Sequence, residues 1–253
     1  MIFNYNVKNI RNDFPILKKP IIYMDSACMS LKPIQVINKI NEYYTEYTAC
    51  AGRSEHRFAD KVGIEVAKSR NELKKLINAK QAEEIIFTKN TTEGINLIAN
   101  SIGLEKGDEV IISDKEHNSN LLPWLKLKKQ GINPIIVESN KDNTFNLDNF
   151  RNSFTDKTKL VSLVHTSNLD GVTNPIKEIA RITHDNNAQL LIDGAQSIPH
   201  KEIDVRKLDI DFISFSGHKM LGPTGTGVLY GKKELLEKLD QFMIGGETVR
   251  LYL

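Results

Sequence analysis

The sequence predicts an α/β fold in which a mostly parallel sheet is covered by helices on both faces. Short apolar runs alternate with helical patterns through most of the 253 residues, as in repeated strand–helix units. Several runs are apolar nearly throughout, which is typical of strands buried on both faces. The length suits one large domain or two modest ones. Together these observations favour a sheet whose two faces are both covered.

The order of the elements follows from the apolar runs and the helical periodicity between them. Pro33 suits the first turn of the first helix, and the second helix repeats apolar residues at spacings of three and four. The predicted strands are 84–88, 109–113, 134–138, 159–167, 188–193, 211–216 and 227–231. The predicted helices are 33–47, 59–78, 92–102, 120–130, 146–153, 175–187 and 232–242.

The composition excludes several classes of protein. The net charge is +2 and the basic residues are interspersed with acidic ones, so we expect no nucleic acid partner and no anionic membrane surface. We see no signal-peptide core and no apolar run of membrane-spanning length. Cys28 and Cys50 form no C-x-x-C pair, which favours a reducing compartment. We therefore expect a cytoplasmic protein without a metal site.

Polar residues follow five of the predicted strands, at the point where each strand ends. Ligands of open α/β sheets bind outside the carboxyl ends of the strands, so we expect these residues to meet in one crevice. The candidate residues are Thr91, Thr92, His117, Asn168, Asp193, Gln196, Ser216, His218 and Lys219.

Asp193 and Lys219 together indicate a particular cofactor, although each alone has an ordinary explanation. A single aspartate at a strand end often caps a turn, and a single lysine is usually solvated. A lysine that forms a Schiff base and an aspartate that pairs with a pyridinium nitrogen are the groups that pyridoxal 5′-phosphate (PLP) requires. A nucleotide-binding domain is disfavoured, because no G-x-x-x-x-G-K-[ST] motif occurs and GPTGTG precedes a strand.

Three other candidates keep two interpretations each. His117 either lies flat on a cofactor ring or caps the helix that follows it. Thr91 and Thr92 stand at a helix start, where backbone N–H groups attract a phosphate, but threonine caps are common without ligands.

Five motifs together resemble the class V aminotransferase family and, within it, the group II cysteine desulfurases. They are NTTEGINLIAN, EHNSNLLPW, HTSNLDGVTNPI, LLIDGAQSIPH and FSGHKMLGPTGTGVLY, and with the N-terminal segment they cover nearly all of the chain. The resemblance implies the large domain of a fold-type-I PLP transferase, with strand 227–231 antiparallel. It also implies that residues 1–60 form an N-terminal segment, which contributes to a small domain and to the active site. Residues 61–253 would then form the PLP-binding domain, and the C-terminal small domain would be absent.

The resemblance also assigns roles within the candidate site. Lys219 is implied as the Schiff-base lysine and Asp193 as the partner of the pyridinium nitrogen. Gln196 would hydrogen-bond the phenolic oxygen of PLP, with Asn168 nearby, and His117 would stack on the ring. The residues implied for the phosphate are Thr91, Thr92, Ser216 and His218. An amino-acid substrate and a homodimer are implied as well.

Some features leave the reaction open between aminotransfer and desulfuration. Asn118 stands where the desulfurases usually have a second histidine. The substrate-binding arginine and the sulfur-accepting cysteine of the family lie beyond the part that this chain matches. Cys28 and Cys50 match neither position, and we expect them to be inert core or loop thiols. The alternative is a non-catalytic truncated homologue that folds, binds PLP or not, and acts as a scaffold.

Overall fold

A computed structural model describes residues 6–245, and its centre is a mixed sheet. The strands of this sheet are β1 (Ile85–Thr88), β2 (Glu109–Ser113), β3 (Asn133–Val137), β4 (Thr158–Val164), β5 (Gln189–Asp193), β6 (Phe212–Ser216) and β7 (Gly227–Gly231). Their order is β1-β7-β6-β5-β4-β2-β3. β7 runs antiparallel to β1 and β6, and the other pairs are parallel. The predicted fold class is confirmed, including the antiparallel last strand.

Helices alternate with the strands from β1 to β5, and others precede β1 or follow β7. The helices are α1 (Val7–Asn12), α2 (Ile34–Glu46), α3 (Arg57–Leu76), α4 (Thr91–Ser101), α5 (Asn118–Leu127), α6 (Leu147–Asn152), α7 (Ile176–Asp185) and α8 (Lys233–Leu236). None of them combines the length and the apolar character that a bilayer span would need, as far as residues 6–245 show.

The sheet is buried on both faces because alternate side chains of its strands enter two different hydrophobic cores. Ile111 packs in one core with residues of α6 and α7. Its neighbours Val110 and Ile112 pack in the other core with residues of α4 and α5. Successive side chains of a strand point to opposite faces, so a strand that is apolar throughout satisfies both cores.

The structure departs from the predicted elements in three places. The predicted strand 159–167 is too long: β4 ends at Val164, and beyond it Thr166 forms an isolated bridge with Thr173. The predicted helix 232–242 is wrong in length, since α8 ends at Leu236. The Asp240 N–H instead donates to the Ser101 carbonyl at the end of α4, which draws the chain out of a helical path. The short helix α1 has no apolar repeat that would predict it.

An ionic cluster ties the amino ends of β5 and β6 to the neighbouring helices. The buried Asp211 carboxylate accepts hydrogen bonds from the Leu190 N–H (2.8 Å), His184 Nε2 (2.9 Å) and Lys232 Nζ (2.7 Å). Burial by itself would raise the pKa of Asp211, but the bonds from His184 and Lys232 hold it below its ordinary value. The bond to Asp211 in turn raises the pKa of His184.

We expect Asp211→Asn to lower the free energy of unfolding by about 2–3 kcal/mol, because it weakens the hydrogen bonds that Lys232 and His184 donate to a charged carboxylate. The matched control is Asp209→Asn, which removes an exposed carboxylate of the same cluster and should cost less than about 1 kcal/mol. Urea unfolding measures both.

The same variants should differ in their pH dependence. Because the folded protein raises the pKa of His184, this histidine contributes stability that is complete below about pH 6.5 and is lost as the pH rises through its raised pKa. In Asp211→Asn, the free energy of unfolding should fall less steeply with rising pH in this range. Equal slopes in the wild type and the variant would contradict the ionic cluster.

Candidate active site

All nine residues predicted for the site line one cavity of about 450 Å³. It lies beyond the last residues of β4, β5 and β6, which are Val164, Asp193 and Ser216. The predicted convergence of polar residues at the carboxyl edge of the sheet is therefore present. Which of them touch a cofactor stays a prediction.

Asp193 is the most deeply buried ionisable group of the cavity wall. Its side chain is 3% exposed and accepts one hydrogen bond, from the Ala195 N–H at 2.9 Å. Burial raises the pKa of this carboxyl, although that bond and the positive charges of Lys219 and His117 act in the opposite direction. A further cationic partner would stabilise the ionised form of a carboxyl whose pKa burial has raised.

Lys219 ends a short 3₁₀ turn, Gly217–Lys219, that directly follows β6. After the lysine the chain folds back, and the Gly222 N–H donates to the Gly217 carbonyl at 2.8 Å. A Cβ atom on Gly222 would lie 2.9 Å from that carbonyl oxygen, so the loop needs a glycine there. Gly222 thus serves the backbone path after the lysine.

The N-terminus of α4 meets the end of β6 at the cavity. The cap is Asn90, whose Oδ1 accepts from the Glu93 N–H at 2.8 Å, so neither threonine is the cap. The Thr91 N–H donates to Ser216 Oγ at 2.8 Å, and the two side-chain hydroxyls are 2.7 Å apart. Backbone N–H groups and hydroxyls at a helix start form an anion-binding arrangement.

Close packing of α4 on β6 makes this arrangement possible. A Cβ atom on Gly94 would lie 2.2 Å from Ser214 Oγ, so a larger residue would push the helix away from the strand. The Ser214 hydroxyl instead donates to the Thr91 carbonyl at 3.2 Å. The start of α4 is therefore held against Ser216.

His117 caps α5, which is one of the two roles that the sequence left open. Its Nδ1 accepts from the Ser119 N–H at 3.1 Å. The Ser119 hydroxyl lies 2.8 Å from Thr92 Oγ1, so the caps of α5 and α4 are linked. The His117 ring is exposed to the cavity as well, and capping leaves its face available.

The N-terminal segment supplies a wall of the cavity that residue-by-residue reasoning missed. Asp25, Ala27 and Cys28 line it, and Gln196 Nε2 donates to the Ala27 carbonyl at 2.7 Å. No periodicity or spacing signals this contact between residues 169 positions apart in the chain. Asn90, Ser119, Val164, Thr166 and Ala195 also line the cavity, and most of these are neighbours of residues that were predicted.

Both cysteines lie in loops, which is one of the two placements that the sequence allows, and their inertness stays a prediction. Cys28 and Cys50 are exposed free thiols, and Cys28 faces the cavity. Both belong to loops of the N-terminal segment, where the apolar packing that normally buries cysteine is missing.

Glu116 is a buried carboxylate immediately before His117. It accepts hydrogen bonds from Ser113 Oγ (2.5 Å), Asn120 Nδ2 (2.6 Å) and the Val164 N–H (3.0 Å), and so joins β2, α5 and β4. Burial raises the pKa of Glu116 to about 7 despite these bonds, and the charge of Asp193 adds to the rise.

Comparisons with known proteins agree with the geometry of the site. Residues 22–252 match the family model described as aminotransferase class-V. The chain belongs to the class V aminotransferase family. Members of this family are PLP-dependent enzymes. We expect the segment 245–249, GGETV, to correspond to a family loop near the active site; residues 246–249 of it lie outside the described residues.

Similar proteins in this family are cysteine desulfurases. The chain is 43% identical to a probable cysteine desulfurase of Halalkalibacterium halodurans, covering 96% of this chain and 62% of the relative. It is 39% identical to a cysteine desulfurase of Escherichia coli O7:K1, covering 97% and 63%.

Solved structures of this family have the same fold. The cysteine desulfurase CsdA of Escherichia coli superimposes with a TM-score of 0.89 at 34% identity, over 96% of this chain and 62% of that one. The apo cysteine desulfurase of Thermococcus onnurineus gives 0.90 at 36% identity, over 95% and 60%. The chain thus spans about three fifths of the length of these proteins.

The donor set of the cavity fits the cofactor of the family. A primary amine, Lys219, and a buried carboxylate with a raised pKa, Asp193, share one cavity with the N-terminus of α4. An imine-forming group, a partner for a ring nitrogen and an anion-binding helix start are the features that PLP needs from a protein.

We expect Glu116→Gln to reduce the pH dependence of stability below neutral pH. The folded protein raises the pKa of Glu116 from 4.5 to about 7, so it binds the proton more tightly than the unfolded chain does. Stability therefore falls as the pH rises between these two values, and the glutamine variant lacks this contribution.

Urea unfolding at several pH values measures the slope. Glu83→Gln, at an exposed glutamate, is the control and should keep the wild-type slope. A Glu116→Gln slope that equals the wild-type slope would contradict a raised pKa at this position.

Proposed function

We propose that this chain forms the PLP-binding part of an enzyme that acts on an amino acid, with Lys219 as the Schiff-base lysine. The observation that carries the proposal is the meeting of Lys219 and the buried Asp193 in one cavity, beside the N-terminus of α4. The chain's place in the class V aminotransferase family supports it.

In this proposal, different residues of the cavity bind different parts of PLP. Asp193 would pair with the ring nitrogen, because burial raises its pKa until a cation stabilises the carboxylate. The phosphate would lie at the start of α4 with Thr91, Thr92, Ser216 and His218. His117 would lie against the ring, and Gln196 and Asn168 would reach the polar substituents of the cofactor or substrate.

The chemistry of the reaction comes from the cofactor, and the chain supplies a proton carrier and a fixed electrostatic environment. Bound PLP supplies an electron sink for a negative charge that develops on the α-carbon of an amino acid. Lys219 accepts and returns protons at its Nζ atom when that amine is free. Asp193 holds a negative charge that favours a protonated ring nitrogen.

We propose desulfuration of cysteine as the reaction in preference to aminotransfer, because the similar curated proteins are named cysteine desulfurases. The C–S bond of the substrate would break, and a thiol would take the sulfur as a persulfide. The electron pair of that bond would stay on the carbon, which takes up a proton to give alanine. The alternative, a non-catalytic homologue that acts as a scaffold, is less well supported, since Lys219 and Asp193 line the same cavity.

We expect the purified chain to bind PLP covalently, with a visible absorbance band that borohydride removes by fixing the cofactor to Lys219. Lys219→Ala should lose the covalent link while it keeps weak binding through the phosphate. Lys68→Ala removes an exposed lysine on α3 and is the control.

Mass spectrometry of the reduced protein locates the modified lysine. A protein that shows no new absorbance with PLP would refute the proposed function. Modification of a lysine other than Lys219 would refute the assignment of its role.

We also propose that residues 1–60 belong with a further C-terminal unit, that residues 61–253 form the PLP-binding domain, and that the enzyme is a homodimer. The first of these assignments is supported by an uncovered apolar face on α2, where Ile34, Ile37 and Ile40 are 36%, 36% and 38% exposed. The occupant we propose is a unit corresponding to the part of the relatives that this chain does not span.

A chimera tests these assignments by continuing past Leu253 with the remaining segment of the Halalkalibacterium halodurans relative. Amide hydrogen exchange in 34–46 should slow at least severalfold, because a covered helix opens less often. Exchange in α7 is the internal control, and light scattering should give a dimer. Unchanged exchange in α2 would contradict the domain assignment, and a monomer would contradict the homodimer.

A further inference from the structure

The turn that presents Lys219 is held from outside by the N-terminal segment. Three donors converge on the His218 carbonyl, which belongs to the peptide bond that enters Lys219. They are the Ser30 N–H, the Ser30 hydroxyl and Lys32 Nζ, each at 2.9 Å. These hydrogen bonds come from residues 186 or more positions away in the chain, and together they fix the orientation of the peptide plane between His218 and Lys219.

Ser30 also binds the backbone on the other side of the lysine. Its hydroxyl accepts a hydrogen bond from the Leu221 N–H at 2.8 Å while it donates to the His218 carbonyl. Leu221 has a φ of 68°, a conformation that side chains other than glycine rarely adopt. One buried hydroxyl thus bridges the peptide groups that flank Lys219 and supports a strained residue.

Lys32 has the placement of a structural cation. In the described part of the chain its hydrogen bonds go to oxygen atoms of Ser30 and His218, at 2.6, 3.3 and 2.9 Å. Burial lowers the pKa of its ammonium group. Lys32 Nζ lies beside the site, 2.9 Å from the His218 carbonyl. Burial and then the charges of Lys219 and Lys32 lower the pKa of His218.

The same segment is anchored at the opposite wall of the cavity. The Ala27 carbonyl accepts a hydrogen bond from Gln196, which follows β5. Ser30 and Lys32 instead donate hydrogen bonds to the turn after β6. Residues 27–32 therefore span the cavity from the Asp193 side to the Lys219 side.

We propose that Ser30 and Lys32 are positioning residues. They hold the backbone around Lys219, so that its amine enters the cavity where it can react with the aldehyde of PLP. This inference rests on the proposed role of Lys219. It assigns to the N-terminal segment a task in forming the covalent link, separate from the binding of the phosphate.

The test separates covalent attachment from non-covalent binding in the 253-residue chain. One probe is PLP, whose link to Lys219 is followed by absorbance and by borohydride trapping. The other is pyridoxine 5′-phosphate, which has the ring and phosphate but no aldehyde to react with the lysine. The variants are Ser30→Ala and Lys32→Met, and the control is Lys18→Met, at an exposed lysine of the same segment.

We expect both variants to form the covalent link about tenfold more slowly or less completely, which is the size of effect that loss of one or two hydrogen bonds produces. Affinity for pyridoxine 5′-phosphate should stay within about threefold of wild type. Ser30→Thr and Lys32→Arg keep the donors and should restore attachment. Lys18→Met should match the wild type.

Each contrary outcome has a separate meaning. Equal loss of both probes would show a general structural role and overturn the inference, as would unchanged covalent attachment in both variants. Thermal unfolding identifies a variant that does not fold. Ser30→Gly or Lys32→Leu, which also lack the side-chain donor, then replaces it: loss of attachment alone supports the inference, and wild-type behaviour with both probes overturns it. Absence of a covalent link in the wild type would refute the proposed function itself.

Discussion

Burial of the central sheet on both faces is the constraint on which the rest of the molecule depends. Residues of β2, β4, β5 and β6 alternate between two hydrophobic cores, so neither face can carry a binding site. A cavity lined by polar side chains can form only where the strands end. Parallel strands end at the same edge, and the helices that follow them begin there with their N–H groups directed outwards. The cavity beside Asp193 and Ser216 is the consequence.

Charge is distributed differently at the two ends of this sheet. At the amino end, Asp211 is buried with two basic partners, and its pKa is lowered. At the carboxyl end, burial raises the pKa values of Asp193 and Glu116, because the cations near Asp193 do not offset its loss of hydration. The charge of Asp211 is thus balanced by residues of the chain itself. The arrangement at the carboxyl end is the one expected of a site that receives a cationic group from a ligand.

Short local contacts convert this edge into a specific cavity. Gly94 lets α4 approach β6, which brings the Thr91 N–H to the Ser216 hydroxyl. His117 caps α5 and through Ser119 reaches Thr92, so two helix starts share one hydrogen-bonded border. The same side chains thus stabilise helices and face the cavity. The structural and ligand-binding interpretations of these residues are therefore compatible.

The sequence by itself determined the order of strands and helices, the doubly covered sheet and the nine residues at its carboxyl edge. It could do so because apolar periodicity and strand ends are local features of the chain. Only the tertiary structure decided where α8 ends, since the Asp240 contact with Ser101 is not local. It also decided that Cys28 faces the cavity, and that Ser30 and Lys32 bind the carbonyl before Lys219. Hydrogen bonds between segments more than 180 positions apart leave no periodic signal, because each partner looks like an ordinary loop residue until the fold brings them together.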